Sequence, residues 1–305
     1  MAVENAPATS VDSSLGVNQN LDSTRMRKSN QIIDTMLFEI QRNMKKFIVL
    51  CVLSVAIFTV IAIVFAFMLS SGFKLPDDPI DFLISGISMG PVGLSFFSGM
   101  SFSFFSVITY ISAAVLGGPS IAYDWEKKTG HMLFPKVDRV KLLAGRLLGL
   151  YILCAIVASL YYALVAIYTG VWYGRVPVEL WASFGIAQLF MFTILSLVIF
   201  ISSWMPNSTG AIIFTIIFFL EGLMILTMVF SMFSTAEPLW SPSYLSSLII
   251  YIMKMPDPRV ISITLEDLTL TTWSTPTLPL GVIMLAIFSV VSLCLAYFIF
   301  RRRQI

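Results

Sequence analysis

The chain has 305 residues, 57% of them hydrophobic and 12% charged, with a formal net charge of +2 and a mean hydropathy of +0.89. Soluble domains carry about 25% charged residues, so this is the composition of an integral membrane protein. The near-neutral balance, without a basic stripe interleaved with aromatics, gives no reason to expect nucleic acid as a partner.

Residues 1–29, with "AVENAPATSVDSSLGVNQNLDST" after Met1, are rich in Ser, Asn and Ala and show no periodicity, as expected of a disordered cytoplasmic tail. Because 46 mostly polar residues precede the first apolar run, no cleaved signal peptide is expected. Residues 30–46, "NQIIDTMLFEIQRNMKK", place Ile33, Leu37, Ile40 and Met44 on one helical face, with Asp34, Arg42, Lys45 and Lys46 mostly elsewhere. Ser29 or Asn30 can cap its start. The pattern predicts an amphipathic helix lying in the inner interface before the chain turns into the membrane.

Six runs are long enough to cross a bilayer, which takes about 20 apolar residues: 47–70, 95–121, 147–172, 181–205, 210–233 and 279–300. None alternates as a barrel strand does, and backbone in lipid must satisfy its own hydrogen bonds, so helices are predicted. The expected fold is all-α, a polytopic bundle of six transmembrane helices over residues 30–305. Of the 19 Lys and Arg residues, fifteen fall on the side holding both termini and the loop after span two. Lys74, Arg175, Lys254 and Arg259 fall on the other side. Excess Lys and Arg mark the cytoplasmic face, which puts both termini there. Trp125, Trp172, Trp181 and Trp204 lie at span ends and Trp240 and Trp273 in the outer segment, where interfacial tryptophan belongs.

Within the spans, Ala113-xxx-Gly117, Ala114-xxx-Gly118 and Gly145-xxx-Gly149 are small-residue pairs suited to close helix contact, within one subunit rather than at a dimer seam. Phe102, Phe104, Phe105, Tyr161 and Tyr162 suit a core. Cys51, Cys154 and Cys294 sit inside spans and are expected as small packing residues, not disulfides. Asn207-Ser208-Thr209 matches a glycosylation sequon but falls in a cytoplasmic hairpin, so a turn after Pro206 is expected. Glu221 is the one charge deep within a span, where it costs about 2.5–3.5 kcal/mol on insertion scales. Gln188, Thr193 and Thr227 are its available polar partners; otherwise it is protonated, faces another subunit or lines a pathway. Outside, residues 234–278 include "SPSYLSSLIIYIMKM", too short to span and suited to a re-entrant or interfacial helix.

Catalytic chemistry has little to work with. A single histidine, His131, builds neither an HExxH site nor a histidine cage, and the three cysteines lack CxxC spacing, so no metal is expected. Lys28-Ser29 and Lys128-Thr129 follow Arg27 and Lys127, not the glycine a Walker A loop needs. The chain is expected to be neither an enzyme nor a binder of ATP by that motif.

The charged stretch "YDWEKKTGHMLFPKVDR", residues 123–139, is different. A phosphate-binding tether would explain its Lys and Arg but not Asp124, Glu126, Gly130 and Pro135. Mixed charge with backbone punctuation suits a small folded knob that docks on a protein, charge pairs setting the register. "SIAYDWEKKTGHMLFPKVDRVKLLAGRLLG" resembles the type-2 ABC-transporter permeases, the ABC-2 family, most closely its archaeal members, and the likeness extends over about residues 30–305. The shared features are a small-residue end of span two, an acidic residue, a "KKTG"-like turn, "LFP", a basic residue and span three; many relatives have proline where Val137 stands. The resemblance implies an exporter subunit in the plasma membrane, paired with a second copy or a similar chain. It also implies a coupling helix at 123–141 seated on a separate ATPase subunit that holds ATP and Mg. By position, Asp124, Glu126, Lys127, Lys128, Thr129 and Gly130 would form or border that helix, with Arg139 and Lys141 at its exit. Two other readings stay open: an ion-coupled carrier using Glu221, and a membrane anchor that recruits cytoplasmic machinery without transporting.

Overall fold

A computed structural model describes residues 31–70, 92–127, 139–173, 176, 178–233, 236–252, 260–265, 268–273 and 275–302. Among these, six helical segments are long and apolar enough to cross a membrane, and they coincide with the six runs read from hydropathy. In chain order the elements are α1 (Gln31–Ser70), α2 (Val92–Gly117), α3 (Pro119–Glu126), α4 (Arg139–Tyr173) and α5 (Glu179–Trp204). Then come α6 (Ser208–Ile217), a π turn (Phe218–Gly222), α7 (Leu223–Phe233), and the short α8 (Pro242–Leu245) and α9 (Ser247–Tyr251). β1 (Val260–Leu265), β2 (Leu268–Trp273) and α10 (Leu278–Arg302) complete the chain.

One expectation needs correction. The amphipathic segment does not turn at residue 46: α1 is a single helix of 40 residues, about 60 Å long at 1.5 Å per residue and about twice the hydrocarbon thickness. It packs along α4, the most extensive helix–helix contact among the described elements. The all-α class holds for the bundle, and the segment before α10 adds an antiparallel hairpin, β1 with β2, in register from Val260↔Trp273 to Leu265↔Leu268. Its alternation, "VISITL" then "LTLTTW", is a strand pattern.

Glycine explains the α1–α4 contact. A Cβ on Gly145 would stand 2.8 Å from both the Ile32 carbonyl oxygen and Thr35 Cβ, and one on Gly149 would stand 2.8 Å from the Met36 carbonyl oxygen. The Gly145-xxx-Gly149 pair thus lets the two backbones meet within one subunit. Gly117 likewise abuts Leu195 and Val198 of α5, and Gly118 abuts Ile212 of α6.

α1 is amphipathic with its polar side inward. Glu39 and Asn43 are buried, while Ile33, Leu37, Phe38 and Met44 are exposed. In water the apolar stripe would seek the bundle; against lipid it can face outward, leaving the polar stripe to be satisfied inside. Arg42 pairs with Glu39, and Asn43 Nδ2 donates to Glu39 Oε1 at 2.9 Å.

Span two is the hub, its window 72% buried against 17% for span five. Phe102, Phe105, Tyr161 and Tyr162 are buried and pack ring to ring between α2 and α4, whereas Phe104 is 40% exposed and lies outside that core. Tyr161 donates to the Ser101 carbonyl at 2.7 Å. Thr193 and Ser289 hydroxyls lie 2.9 Å apart, joining α5 to α10. In the segment before the hairpin, α8 and α9 pack on the bundle: Leu245, Leu248 and Ile249 are fully buried, and Ser183 donates to the Ile249 carbonyl at 2.9 Å. Cys51, Cys154 and Cys294 are all unpaired. Trp181 and Trp204, at opposite ends of α5, are 71% and 61% exposed, as interfacial anchors should be.

Candidate functional site

The feature most unlike a plain bundle is an elbow where span two ends. Pro119 has no N–H to continue the helical ladder and its ring opposes the preceding turn. Consequently α2 closes with Gly118 N–H donating to Ala114 O at 2.9 Å, and α3 starts anew with Pro119 in its first turn. A break of this kind leaves a carbonyl and amides without helical partners. Ser202, near the end of α5, takes up three of them. Its hydroxyl donates to Gly118 O at 2.6 Å and accepts from the N–H groups of Ile121 and Ala122, each at 3.1 Å. One side chain thereby fixes the angle between α2 and α3.

Arg146, in the second turn of α4, supplies the next tie. Its Nη1 donates to the Ser120 carbonyl at 2.7 Å and lies 2.5 Å from Asp124 Oδ2. Both side chains are nearly closed to solvent, at 5% and 7% exposure. A third tie reaches span five. Glu126 accepts from the Ser208 backbone N–H at 3.0 Å and from the Ser208 hydroxyl. Asn207, the residue before α6, is extended and makes no side-chain cap of its own, so Glu126 satisfies the first turn of α6 from another helix and places a negative charge at its N-terminus. Arg42 of α1 sits 5.8 Å from the ring centre of Tyr123, a contact of cation–π type. The short helix of residues 119–126 thus touches elements from four other spans.

The sequence-derived coupling residues separate accordingly. Asp124 is buried in its pair with Arg146 and offers no docking charge. Glu126 is exposed but already engaged with Ser208. Lys127 is exposed, its N–H closing α3 on Tyr123 O at 3.0 Å. Arg139 begins α4, and Lys141 is exposed two residues on. Lys128, Thr129 and Gly130, with the rest of the loop through residue 138, lie outside the described residues. Arg146, Ser202, Ser208 and Arg42 had no assigned role in the sequence. Arg146 alone carried a signal, a cation next to the small-residue face of a span.

Glu221 lies in the π turn near the middle of span five and is exposed on the outer face of the bundle. Among the described residues no side chain or backbone group pairs with its carboxylate, so Gln188, Thr193 and Thr227 are not its partners. Thr193 bonds Ser289, and Thr227 bonds the Leu223 carbonyl and Ser241. Gln188 is half-buried in α5, and neither end of its amide is hydrogen-bonded. No group of three or more potential metal ligands occurs among the described residues.

The chain matches no protein-family model and no curated protein.

What the elbow can do is mechanical. Its polar contacts are directional and buried or capped, so displacing α3 displaces the start of α4, the end of α5 and the start of α6 together. Its ties are hydrogen bonds and an ion pair that join four helices at one corner.

Proposed function

We propose that this chain is the membrane subunit of an ATP-driven transporter of the ABC-2 type. In this reading it is an exporter in the plasma membrane with cytoplasmic termini, working as a dimer with a second copy or a similar chain. A separate ATPase subunit binds and hydrolyses ATP-Mg and seats on residues 123–141. The observation that carries the reading is the elbow: the helix leading into the charged loop is tied to spans three, four and five by Arg146, Ser202 and Ser208. A loop used only as a connection needs no such ties, whereas a loop that receives force must pass it to several helices at once. Closure of the ATPases would tilt the elbow and exchange two bundle arrangements, each with its own contacts. The sequence likeness around "DWEKKTG" supports the same assignment.

Docking falls to exposed charge such as Lys127, with Lys128 next to it in the sequence. The full chain, tagged and purified from its own cell, is expected to bring down a Walker A protein. Lys127→Glu combined with Lys128→Glu should lose that protein while the membrane subunit keeps its melting temperature. Transport by the purified chain alone in vesicles, without any ATPase, overturns the proposal in favour of an ion-coupled carrier. A bound partner with no cargo movement in the reconstituted complex overturns it in favour of an anchor.

A further inference from the structure

The face of span five that carries Glu221 combines features that a lipid-facing helix does not need. Four residues of this span, Ala211, Thr215, Phe219 and Leu223, pack inward at a constant spacing of four. A regular helix has 3.6 residues per turn, so such a spine would drift off the bundle. The wider π turn at Phe218–Gly222 brings it back. With the spine held inward, Phe214, Ile217, Phe218, Glu221, Met224 and Ile225 are left exposed on the other side. The rings of Phe214 and Phe218 stack with centroids 5.7 Å apart and planes at 10°, one turn from the carboxylate.

An ionised, unpaired carboxylate at this depth is costly in hydrocarbon, and among the described residues no group relieves it. A symmetric second copy would bring another carboxylate to the same face, not a cation. When the carboxyl is ionised, a positive charge on a bound molecule is what would compensate it. Two exposed aromatic faces beside an anion are the environment that attracts an organic cation, and the surrounding Ile and Met side chains suit an apolar body.

We infer that this face is a binding site for a lipophilic cation, an ammonium or phosphonium centre on an apolar body, with Glu221 supplying the countercharge and Phe214 and Phe218 the aromatic contacts. The inference deepens the transport reading by naming the class of cargo, and it rests on that reading only for what happens after binding.

The test is therefore made without any ATPase, so that its failure and the failure of the docking experiment are distinct. The full chain is placed in nanodiscs of zwitterionic lipid, and binding of radiolabelled tetraphenylphosphonium is measured against empty nanodiscs. Saturable binding is expected, about tenfold weaker in Glu221→Gln and retained in Glu221→Asp. Phe218→Leu should weaken it about two- to fivefold, which keeps the inference testable if Glu221→Gln does not fold. Tetraphenylborate, of the same shape and opposite charge, should not saturate. Absence of saturable binding by the wild-type chain overturns the inference. So does equal binding by Glu221→Gln, or tetraphenylborate binding as well as the cation. If instead Glu221→Gln abolishes proton uptake coupled to transport while cation binding is unchanged, the carboxylate is a proton site and the inference fails.

Discussion

Arg146 and Asp124 meet at 2.5 Å across two different helices, and the same guanidinium also holds the Ser120 carbonyl. The pair closes the corner between spans two and three on the protein side of the charged loop. Buried ion pairs add little net stability over apolar substitutes, but breaking one member is severe because the other charge stays behind.

Arg146→Met should therefore destabilise the protein by about 3–5 kcal/mol. The double variant Asp124→Leu with Arg146→Met should melt much closer to wild type. Thermal unfolding of the detergent-purified chain checks both, and equal melting of the two variants would show that the pair is not coupled.

Ser202→Ala should leave the Gly118 carbonyl and the Ile121 and Ala122 amides unsatisfied in a buried place, costing about 1–3 kcal/mol. Hydrogen exchange should speed up at residues 121 and 122 before it does in the middle of α2. Uniform change along α2 would refute the idea of a local pin.

Gly145→Ala places a methyl 2.8 Å from the Ile32 carbonyl oxygen and Thr35 Cβ, and overpacking of this kind costs about 1–3 kcal/mol. Thr35→Gly in the same chain should recover part of the loss, since it removes one of the two obstacles. No recovery would mean the strain falls on the backbone contact alone.

Ser208→Ala and Glu126→Gln should both loosen the first turn of α6, read as faster hydrogen exchange over residues 208–212. Glu126→Arg should do so more strongly, because it sets a positive charge at a helix N-terminus. Exchange in α6 that stays at the wild-type rate in Glu126→Arg would refute the cap, whereas a loss of ATPase binding in Glu126→Arg that spares Lys127→Glu would place docking at the carboxylate.

The spans were legible because lipid imposes one rule, a continuous apolar run, and residues 47–70 or 279–300 obey it without reference to neighbours. The elbow was half legible. Gly118-Pro119 marks a break in any helix, but Ser202 lies more than eighty residues away and reads as one hydroxyl among many in α5. Asp124 looked like a docking charge because a carboxylate beside Glu126 and Lys127 reads as surface; its burial depends on where Arg146 sits, and only packing decides that. The hydrophobic stripe of α1 was correctly periodic and faces away from the bundle, but periodicity did not show that the helix runs unbroken into span one. Glu39, the residue most deeply buried on its polar side, was passed over because its burial depends on what packs against it.

The ties of the elbow are also ordered in time. Arg146 follows Asp124 by one loop, so that contact can close as soon as the ribosome has delivered the third span. Ser202 and Ser208 emerge later, with the fourth and fifth. Until then the Gly118–Pro119 break has an open carbonyl and two open amides, and a nascent chain stalled before residue 202 carries a corner that can still swing. Completion of the corner therefore waits for the fourth and fifth spans to emerge.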